Sequence, residues 1–315
     1  MNLVMNCRHR HERLEEALNN LGHSVEYNIW DIDGITRRSP AAVYFEFKQI
    51  LKEEWRFARL AYGLKKARIP SFTWCLDMPN IGASPWKLVA ILKLGLIDIF
   101  ATHSMQGLDA MRGLKSRLIY LPNAAWISRY NMGSVSFEDL SDPGRYDVDV
   151  SFVGNIDSAK HREHLQRTSF LNELAGLLQK EGLTFKFEDS RFMDFSAQID
   201  LIQRSRININ VGCAADKDNN KSWGLPERAY GVPVCGGFLL TDERIHAKDD
   251  FIEDDEIVMF RDINDCMKKI LYYVGRSDER RRIAENAYNR ILREHTYNHR
   301  AEKLLAAVGQ FGSRR

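Results

Sequence analysis

Cysteine is scarce in this sequence, and its few residues are scattered. The chain has five cysteines in 315 residues, an odd number, and no Cys-x-x-Cys pair occurs. Disulfide frameworks and zinc sites rest on paired, closely spaced cysteines, so this pattern argues against both. It suits a reducing cytosol, and we therefore expect a cytoplasmic protein. The five residues are Cys7, Cys75, Cys213, Cys235 and Cys266.

Long apolar runs and a strong charge of one sign are also lacking. The most apolar stretch, residues 87–101, is broken by Lys93 and Asp98 and is too short and too charged to cross a bilayer. Basic residues appear by Arg8 with no apolar core after them, so we expect neither a signal peptide nor an integral membrane segment. The formal net charge of +2 gives no general field for binding polyanions.

What the sequence does contain is an alternation of strand and helix patterns. Short apolar runs, such as residues 3–6, 71–76 and 148–153, are separated by amphipathic helical stretches. This order is typical of parallel sheets with helices on both faces. We also expect residues 40–64 to be mostly helical and residues 106–114 to form a helix.

One stretch without periodicity, residues 134–146, is rich in Ser, Asp, Gly and Pro and is interpreted as a linker. The predicted fold class is therefore α/β, with two Rossmann-like domains facing each other across a ligand cleft. We place the N-terminal domain at residues 1–143 and the C-terminal domain at residues 147–296. Residues 297–315 are expected to form a helix that returns to the N-terminal domain.

The most informative run for chemistry is residues 223–242. Pro226 is suited to the start of a helix, and backbone N–H groups near Gly224 and Leu225 are candidates for holding an anion such as a diphosphate. Lys221 and Arg228 add positive charge there. The alternative is that this run is only a helix–turn–strand connection and binds no ligand. Further donor-site candidates in this run are Glu227, the glycine pair Gly236 and Gly237, and Thr241.

This run resembles the donor-site segment of the CgeB-like, spore-maturation type glycosyltransferases, a branch of the GT-B group-1 transferases. Those proteins carry a run of the form Arg-x-Phe-Glu-x-Pro-Ala-Cys-Gly-Gly-Phe-Leu-Leu-Thr-Asp. The resemblance continues outside the run and covers nearly half of the chain, from about residue 148 to residue 305. It includes residues 149–155, 206–210, 251–262 and 293–301, with weaker similarity to group-1 glycosyltransferases at residues 18–27 and 121–125.

The resemblance implies a division of labour between two GT-B domains. The C-terminal domain would bind a nucleoside-diphosphate sugar, and the N-terminal domain would bind the acceptor. Family members generally need no metal cofactor, because basic residues and helix N-termini neutralise the leaving diphosphate. One position departs from the family pattern: Gly231 stands where the family has a Glu that is expected to bind the donor ribose. Either Glu227 replaces it, or the donor is held differently, or donor binding is lost.

Several other residues are candidates because they follow predicted strands. Gly154 and Asn155 end one strand, and Lys160 and Arg162 follow them, where basic side chains would reach the diphosphate. The alternative for these two is a solvated helix start.

Catalytic candidates come from strand ends in the first half of the chain. His103 is a candidate general base or sugar-positioning residue, although a lone His is more often structural. Asp77 is a candidate base for the acceptor hydroxyl, or alternatively a turn cap. Residues 8–11 are candidates for meeting an anionic acceptor, or else a solvated loop. Asp31 and Asp33 have the spacing of a metal-binding motif. We interpret them as polar residues of a loop, and no metal site is predicted.

Together these observations predict a metal-independent glycosyltransferase that moves a sugar from a nucleoside-diphosphate sugar to an acceptor hydroxyl. The acceptor class stays open between a glycan, a protein, a small molecule and a modified DNA base. Two alternatives remain: a GT-B-fold sugar-nucleotide epimerase, and a non-catalytic protein that binds a sugar nucleotide.

Overall fold

The computed structural model describes residues 1–76, 85–105, 112–157, 159, 164–212 and 224–312. The chain forms two compact units: Met1–Pro122 together with the C-terminal helix, and Asn123–Thr296. The division lies before residues 134–146, the stretch interpreted as a linker. The chain after Pro122 joins the second unit because the Ala125 N–H donates to the His295 carbonyl at 2.9 Å and Ala125 forms a parallel bridge with Thr296.

The N-terminal unit contains a six-stranded parallel sheet with the order β2-β1-β3-β4-β5-β6. Its strands are β1 (Asn2–Asn6), β2 (Ser24–Tyr27), β3 (Ala42–Phe45), β4 (Ser71–Cys75), β5 (Ile99–Thr102) and β6 (Arg117–Tyr120). Its helices are α1 (Glu12–Asn20), α2 (Ile32–Arg38), α3 (Phe47–Ile50), α4 (Glu54–Ala67), α5 (Pro85–Leu94) and, from the end of the chain, α12 (Tyr297–Gly312).

Both faces of this sheet are covered, which is why its central strands are apolar on both sides. On one face Val43 and Phe45 of β3 pack in a core with Phe57 of α4. Helix α12 packs against α1, and the buried Arg300 donates from Nε to the Pro122 carbonyl at 3.0 Å.

The prediction that residues 40–64 are mostly helical is confirmed, but it missed a strand. These residues contain the strand β3, the short helix α3 and most of α4. All four residues of β3 are buried. A fully buried strand has a continuous apolar run without alternation, so its periodicity does not distinguish it from a buried helix. The predicted helix 106–114 lies largely outside the described residues.

The C-terminal unit contains a five-stranded parallel sheet with the order β11-β10-β9-β7-β8. Its strands are β7 (Val148–Val153), β8 (Phe185–Glu188), β9 (Ser205–Asn210), β10 (Leu239–Asp242) and β11 (Val258–Phe260). Its helices are α6 (Leu165–Lys180), α7 (Phe195–Gln203), α8 (Arg228–Val234), α9 (Ala247–Asp250), α10 (Ile263–Val274) and α11 (Ser277–Glu294).

Local sequence explains where several of these helices begin. Asp194 accepts the Ala197 N–H at 2.7 Å at the start of α7, and Asp262 accepts the Asp265 N–H at 2.9 Å at the start of α10. Each side chain thereby satisfies a backbone donor that the helix leaves without a partner. Across the described parts of the chain, no helix combines the length and apolar character that spanning a membrane requires.

Candidate functional site

The C-terminal sheet reverses its strand order between β7 and β9. From β7 the chain first moves outward to β8 and then returns to place β9 on the other side of β7. In open α/β sheets this reversal opens a crevice at the carboxyl ends of the strands, where ligands bind. Gly154 follows β7 at this edge, and Gly212 closely follows β9.

The side chain of Arg228, the first residue of α8, lies at this crevice. Its Nη1 donates to Asn210 Oδ1 at 2.8 Å, and its Cζ lies 4.5 Å from the centroid of the Phe152 ring. A Cβ atom at Gly154 would lie 2.0 Å from Arg228 Nη2, so only glycine leaves room for the guanidinium. An amide oxygen and a ring face therefore contact this cation, and a glycine leaves room for it.

Asn210 is itself oriented by Thr241 on the neighbouring strand. Asn210 Nδ2 donates to Thr241 Oγ1 at 2.8 Å, and both residues are fully buried. Because the amide nitrogen is used in this way, the amide oxygen is the group that faces Arg228. Thr241, predicted to bind the donor, positions Asn210 instead, since its side chain is not accessible to a ligand in this structure.

A second arginine and glycine meet at the carboxyl end of β10. Asp242 Oδ2 accepts the Gly212 N–H at 3.0 Å and Arg244 Nη2 at 2.5 Å. A Cβ atom at Gly212 would lie 1.5 Å from Arg244 Nη2. The side chain of Arg244 is only 4% exposed. Each of these two arginines thus lies against the Cα of a glycine that follows a strand.

A third arginine, Arg167 of α6, links the ends of β7 and β9. Its Nη1 donates to the Asn155 carbonyl at 2.8 Å and its Nε to the Val211 carbonyl at 2.9 Å. Arg167, Arg228 and Arg244 thus all have guanidinium groups at the carboxyl ends of these strands, and guanidinium groups are suited to contacts with anionic ligands.

The glycosyl transferase-like family matches residues 145–306, just over half of the chain and nearly all of the unit that contains this crevice. The chain belongs to this family. No curated protein sequence matches this chain.

Solved structures show the fold of the glycosyltransferase. Sucrose-phosphate synthase from Thermosynechococcus elongatus is 12% identical with a TM-score of 0.64, and the match covers 100% of both chains. HepE from Anabaena, in complex with UDP and glucose, is 11% identical with a TM-score of 0.61 over 98% of this chain and 100% of HepE. A glycosyltransferase from Rickettsia africae is 11% identical with a TM-score of 0.59, covering 98% of each chain. The predicted GT-B fold class is therefore confirmed.

Three further donor-site candidates of the glycosyltransferase lie at the start of α8, next to Arg228. The Leu225 carbonyl accepts Asn123 Nδ2 at 3.0 Å. The Glu227 carbonyl accepts the N–H groups of Tyr230 and Gly231 at 3.0 and 2.9 Å. These contacts fix the approach to the helix, and Gly224 is buried there. Anion binding by backbone N–H groups near Gly224 and Leu225 stays a prediction.

The structure does not bring Gly236 and Gly237 to the crevice. Both precede β10 and therefore lie towards its amino end, whereas the crevice is at its carboxyl end. A Cβ atom would meet Leu140 at 2.4 Å from Gly236 and Ile202 at 2.6 Å from Gly237. These glycines allow close packing within the protein, so their assignment to the donor site is corrected.

Four candidates lie outside the described residues: Asp77, Lys160, Arg162 and Lys221. His103 is described. It follows β5 in the N-terminal unit and is 3% exposed, so its imidazole is not open to solvent in this structure. A catalytic role for His103 stays a prediction.

Residues 8–11 do not behave as one solvated loop. His11 caps α1, where its Nδ1 accepts the Leu14 N–H at 3.4 Å, and its ring stacks on Trp74 with centroids 5.6 Å apart. Burial, with a smaller effect from Arg13, lowers the pKa of His11 to about 4. His11 is therefore neutral at physiological pH.

The interpretation of Asp31 and Asp33 as polar loop residues is confirmed for Asp31. Asp31 Oδ1 accepts the Gly34 N–H at 2.5 Å and caps α2. Among the described residues, no three or more His, Cys, Asp or Glu side chains are placed together so that they could hold a metal ion.

Sequence reasoning missed Asn210, Arg167 and Arg244 as site residues. Asn210 gave a usable signal, since it is a polar residue at the end of an otherwise buried strand. Arg167 and Arg244 gave none, because their positions at the crevice depend on how α6 and the turn after β10 pack on the sheet.

Proposed function

We propose that this glycosyltransferase takes its sugar from a nucleoside-diphosphate donor whose diphosphate binds at the carboxyl ends of β7 and β9. The observation that carries the proposal is the placement of Arg228 at the point where the strand order reverses. Its guanidinium is oriented by the Asn210 amide oxygen and lies over the Phe152 ring. That UDP and glucose occupy HepE, a protein of the same fold, supports a uridine nucleotide as the first donor to test.

The proposed chemistry is transfer to an acceptor hydroxyl with departure of the nucleoside diphosphate. Negative charge grows on the leaving diphosphate as the glycosidic bond breaks. Fixed positive charge at that position lowers the barrier more than mobile solvent does. Arg228 supplies this charge, with Lys160, Arg162 and Lys221 proposed as additional cations. Because these side chains provide the neutralisation, the transfer is proposed to need no metal ion.

The CgeB-like subtype is part of the same proposal. It is supported by the run from Arg228 to Asp242, which contains both the crevice arginine and the strand end that carries Asp242. The acceptor is proposed only as a hydroxyl-bearing molecule, since the described residues give its binding site no distinctive chemistry.

The test compares hydrolysis or transfer of sugar nucleotides by the wild type and by Arg228→Ala. Loss of one charge-assisted contact to the diphosphate is expected to lower kcat/KM by about thirtyfold to hundredfold. Arg261→Ala is the matched control, because Arg261 is an exposed arginine just before α10 that pairs with Asp265 in the first turn of that helix. An unchanged rate in Arg228→Ala would remove Arg228 from the donor site.

A non-catalytic sugar-nucleotide-binding protein is the second candidate, favoured by Gly231. Gly231 is buried, and a Cβ atom there would meet Tyr130 at 3.9 Å, an ordinary contact. The backbone therefore has room for the first side-chain atom of the family's Glu, but the chain lacks its carboxylate. Turnover of a sugar nucleotide by the wild type would eliminate this candidate. Binding without turnover, with turnover gained in Gly231→Glu, would establish it.

A further inference from the structure

Helix α4 in the N-terminal unit presents a stripe of aromatic and basic side chains to solvent. Trp55, Arg59, Tyr62 and Lys66 follow one another at helical spacing and are all exposed. Trp55 is 88% exposed and Tyr62 is 60% exposed. Large aromatic side chains that stay this exposed on a folded protein indicate a contact surface for another body.

Helix α5 lies beside α4 and extends this surface. Lys65 Nζ, near the end of α4, donates to the Leu94 carbonyl at the end of α5 at 3.2 Å. Between the two helices runs an apolar groove whose lining includes Trp55, Trp86 and Ile91. Trp86 is 68% exposed, so two tryptophans border the same groove. We call this surface, α4 and α5 with the preceding α3, the α4–α5 face.

The charge of the α4–α5 face differs sharply from that of the whole chain. Residues 47–68 and 85–94 contain nine Lys or Arg against two Asp or Glu, whereas the chain contains 45 against 43. Several of the cations lie close to the aromatic rings: Lys66 Nζ is 4.8 Å from the Tyr62 ring centroid, and Lys87 Nζ is 5.7 Å from that of Trp86. The apolar and the basic groups therefore form one surface.

We propose that the α4–α5 face binds the surface of an anionic lipid bilayer. The basic side chains would contact lipid phosphates, and Trp55 and Trp86 would enter the interfacial layer, where aromatic rings with a polar edge are favoured. The apolar groove would receive acyl carbon between them. Such a protein lies on the membrane and needs no spanning segment.

Charge decides between a bilayer and a second copy of the chain. Pairing two α4–α5 faces would bring two strongly basic surfaces together, and like charges in close contact are repulsive. A bilayer rich in anionic lipid offers negative charge above an apolar layer, which matches both properties of the face. The inference does not depend on the donor site, because every residue that carries it belongs to the N-terminal unit.

The test is sedimentation of the full chain with large unilamellar vesicles. Vesicles of phosphatidylcholine alone are compared with vesicles that also contain phosphatidylglycerol. The wild type is expected to sediment with the anionic vesicles and not with the neutral ones. Raising the salt concentration is expected to release it, because screening weakens contacts between exposed charges. The tryptophan emission should shift to shorter wavelength on binding, as Trp55 and Trp86 leave water.

Two double variants separate the apolar and the basic contributions. Arg59→Gln with Lys66→Gln should weaken binding to anionic vesicles by about thirtyfold, at roughly one kcal/mol per charge. Trp55→Ser with Trp86→Ser should weaken it by about tenfold or more. Lys180→Gln with Lys268→Gln, two exposed lysines of the C-terminal unit, is the charge-matched control and should bind as the wild type does. All substituted side chains are mostly exposed, so the melting temperature should not change.

Binding that is equal for both vesicle types, or absent from both, would overturn the proposal. So would a control pair that weakens binding as much as the Arg59 and Lys66 pair. A dimer in solution that Trp55→Ser dissociates, without vesicle binding, would assign the α4–α5 face to a second copy and would also overturn it.

Discussion

Different side chains follow the strands at the same topological position of the two sheets. In the N-terminal unit the strand order reverses between β1 and β3, and in the C-terminal unit between β7 and β9. After β1 the Cys7 thiol and the half-buried His11 are uncharged at neutral pH: burial raises the pKa of the Cys7 thiol to about 11 and lowers that of His11 to about 4. After β7 and β9 the groups are Arg167, Arg228 and Arg244.

This difference in charge affects which ligands can bind at the two strand ends. Guanidinium groups keep their charge under all physiological conditions, so the C-terminal crevice is suited to an anion such as a diphosphate. The neutral His11 stacked on Trp74 offers ring surface and a weak hydrogen-bonding edge. The two units therefore share a sheet topology but differ in the chemistry of the residues that follow their strands.

The largest effect on diphosphate binding is expected when the space beside Arg228 is filled. In Gly154→Ala the new methyl would lie 2.0 Å from Arg228 Nη2, so the guanidinium must leave its position. Affinity for nucleoside diphosphates should fall by about a hundredfold, as expected when charged hydrogen bonds are lost. Calorimetric titration measures it. Gly176→Ala, where nothing lies within 4 Å of the new atom, should bind normally, and equal affinity of both variants would contradict the site.

The next test concerns His11, which follows β1 in the N-terminal unit. His11 has a pKa of about 4 in the folded chain against an ordinary value of 6.5. The unfolded chain therefore binds the proton first as the pH falls, and stability is lost between pH 6.5 and 4. The loss should total about 2–3 kcal/mol in the free energy of unfolding.

Urea denaturation across this pH range measures that loss. His11→Asn keeps a helix-capping acceptor and should flatten the pH dependence. His9→Asn, a change at an exposed neighbour, should leave it as in the wild type. A pH dependence that survives in His11→Asn would show that another group is responsible.

A smaller effect is expected when the partner of Arg228 is changed. Asn210→Ala removes one hydrogen bond that orients the guanidinium and should weaken diphosphate binding by about tenfold. Asn210→Asp should weaken it further, because a carboxylate neutralises the cation that the ligand needs. Exposed Asn264→Ala is the control in the same calorimetric assay. Tighter binding in Asn210→Asp than in Asn210→Ala would show that Arg228 does not act through its charge.

Removal of divalent metal ions is expected to have no effect on binding or transfer. If arginines alone neutralise the diphosphate, EDTA should leave both the affinity for nucleoside diphosphates and sugar transfer unchanged. A loss of either that added Mg²⁺ or Mn²⁺ restores would contradict metal independence.

The sequence predicted the alternating α/β order, most strands of both sheets and the GT-B class, because parallel strands and amphipathic helices have clear local patterns. It failed at β3, whose four buried residues do not alternate. For the site it predicted Arg228, which lies within a recognisable run, and the structure has this arginine at the strand-end crevice. It assigned Gly236 and Gly237 to the ligand because a glycine pair indicates only that something approaches closely. Which group approaches depends on tertiary packing, here Leu140 and Ile202.

We propose above all that the carboxyl ends of β7 and β9 bind a diphosphate through Arg228. The most direct measurement is calorimetric titration of the wild type and Arg228→Ala with UDP and with uridine, repeated with the other nucleoside diphosphates and their nucleosides. We expect one diphosphate to bind with micromolar affinity and its nucleoside to bind far more weakly, and we expect Arg228→Ala to remove most of this difference. Equal binding of a nucleoside and its diphosphate, or a difference that persists in Arg228→Ala, would contradict it.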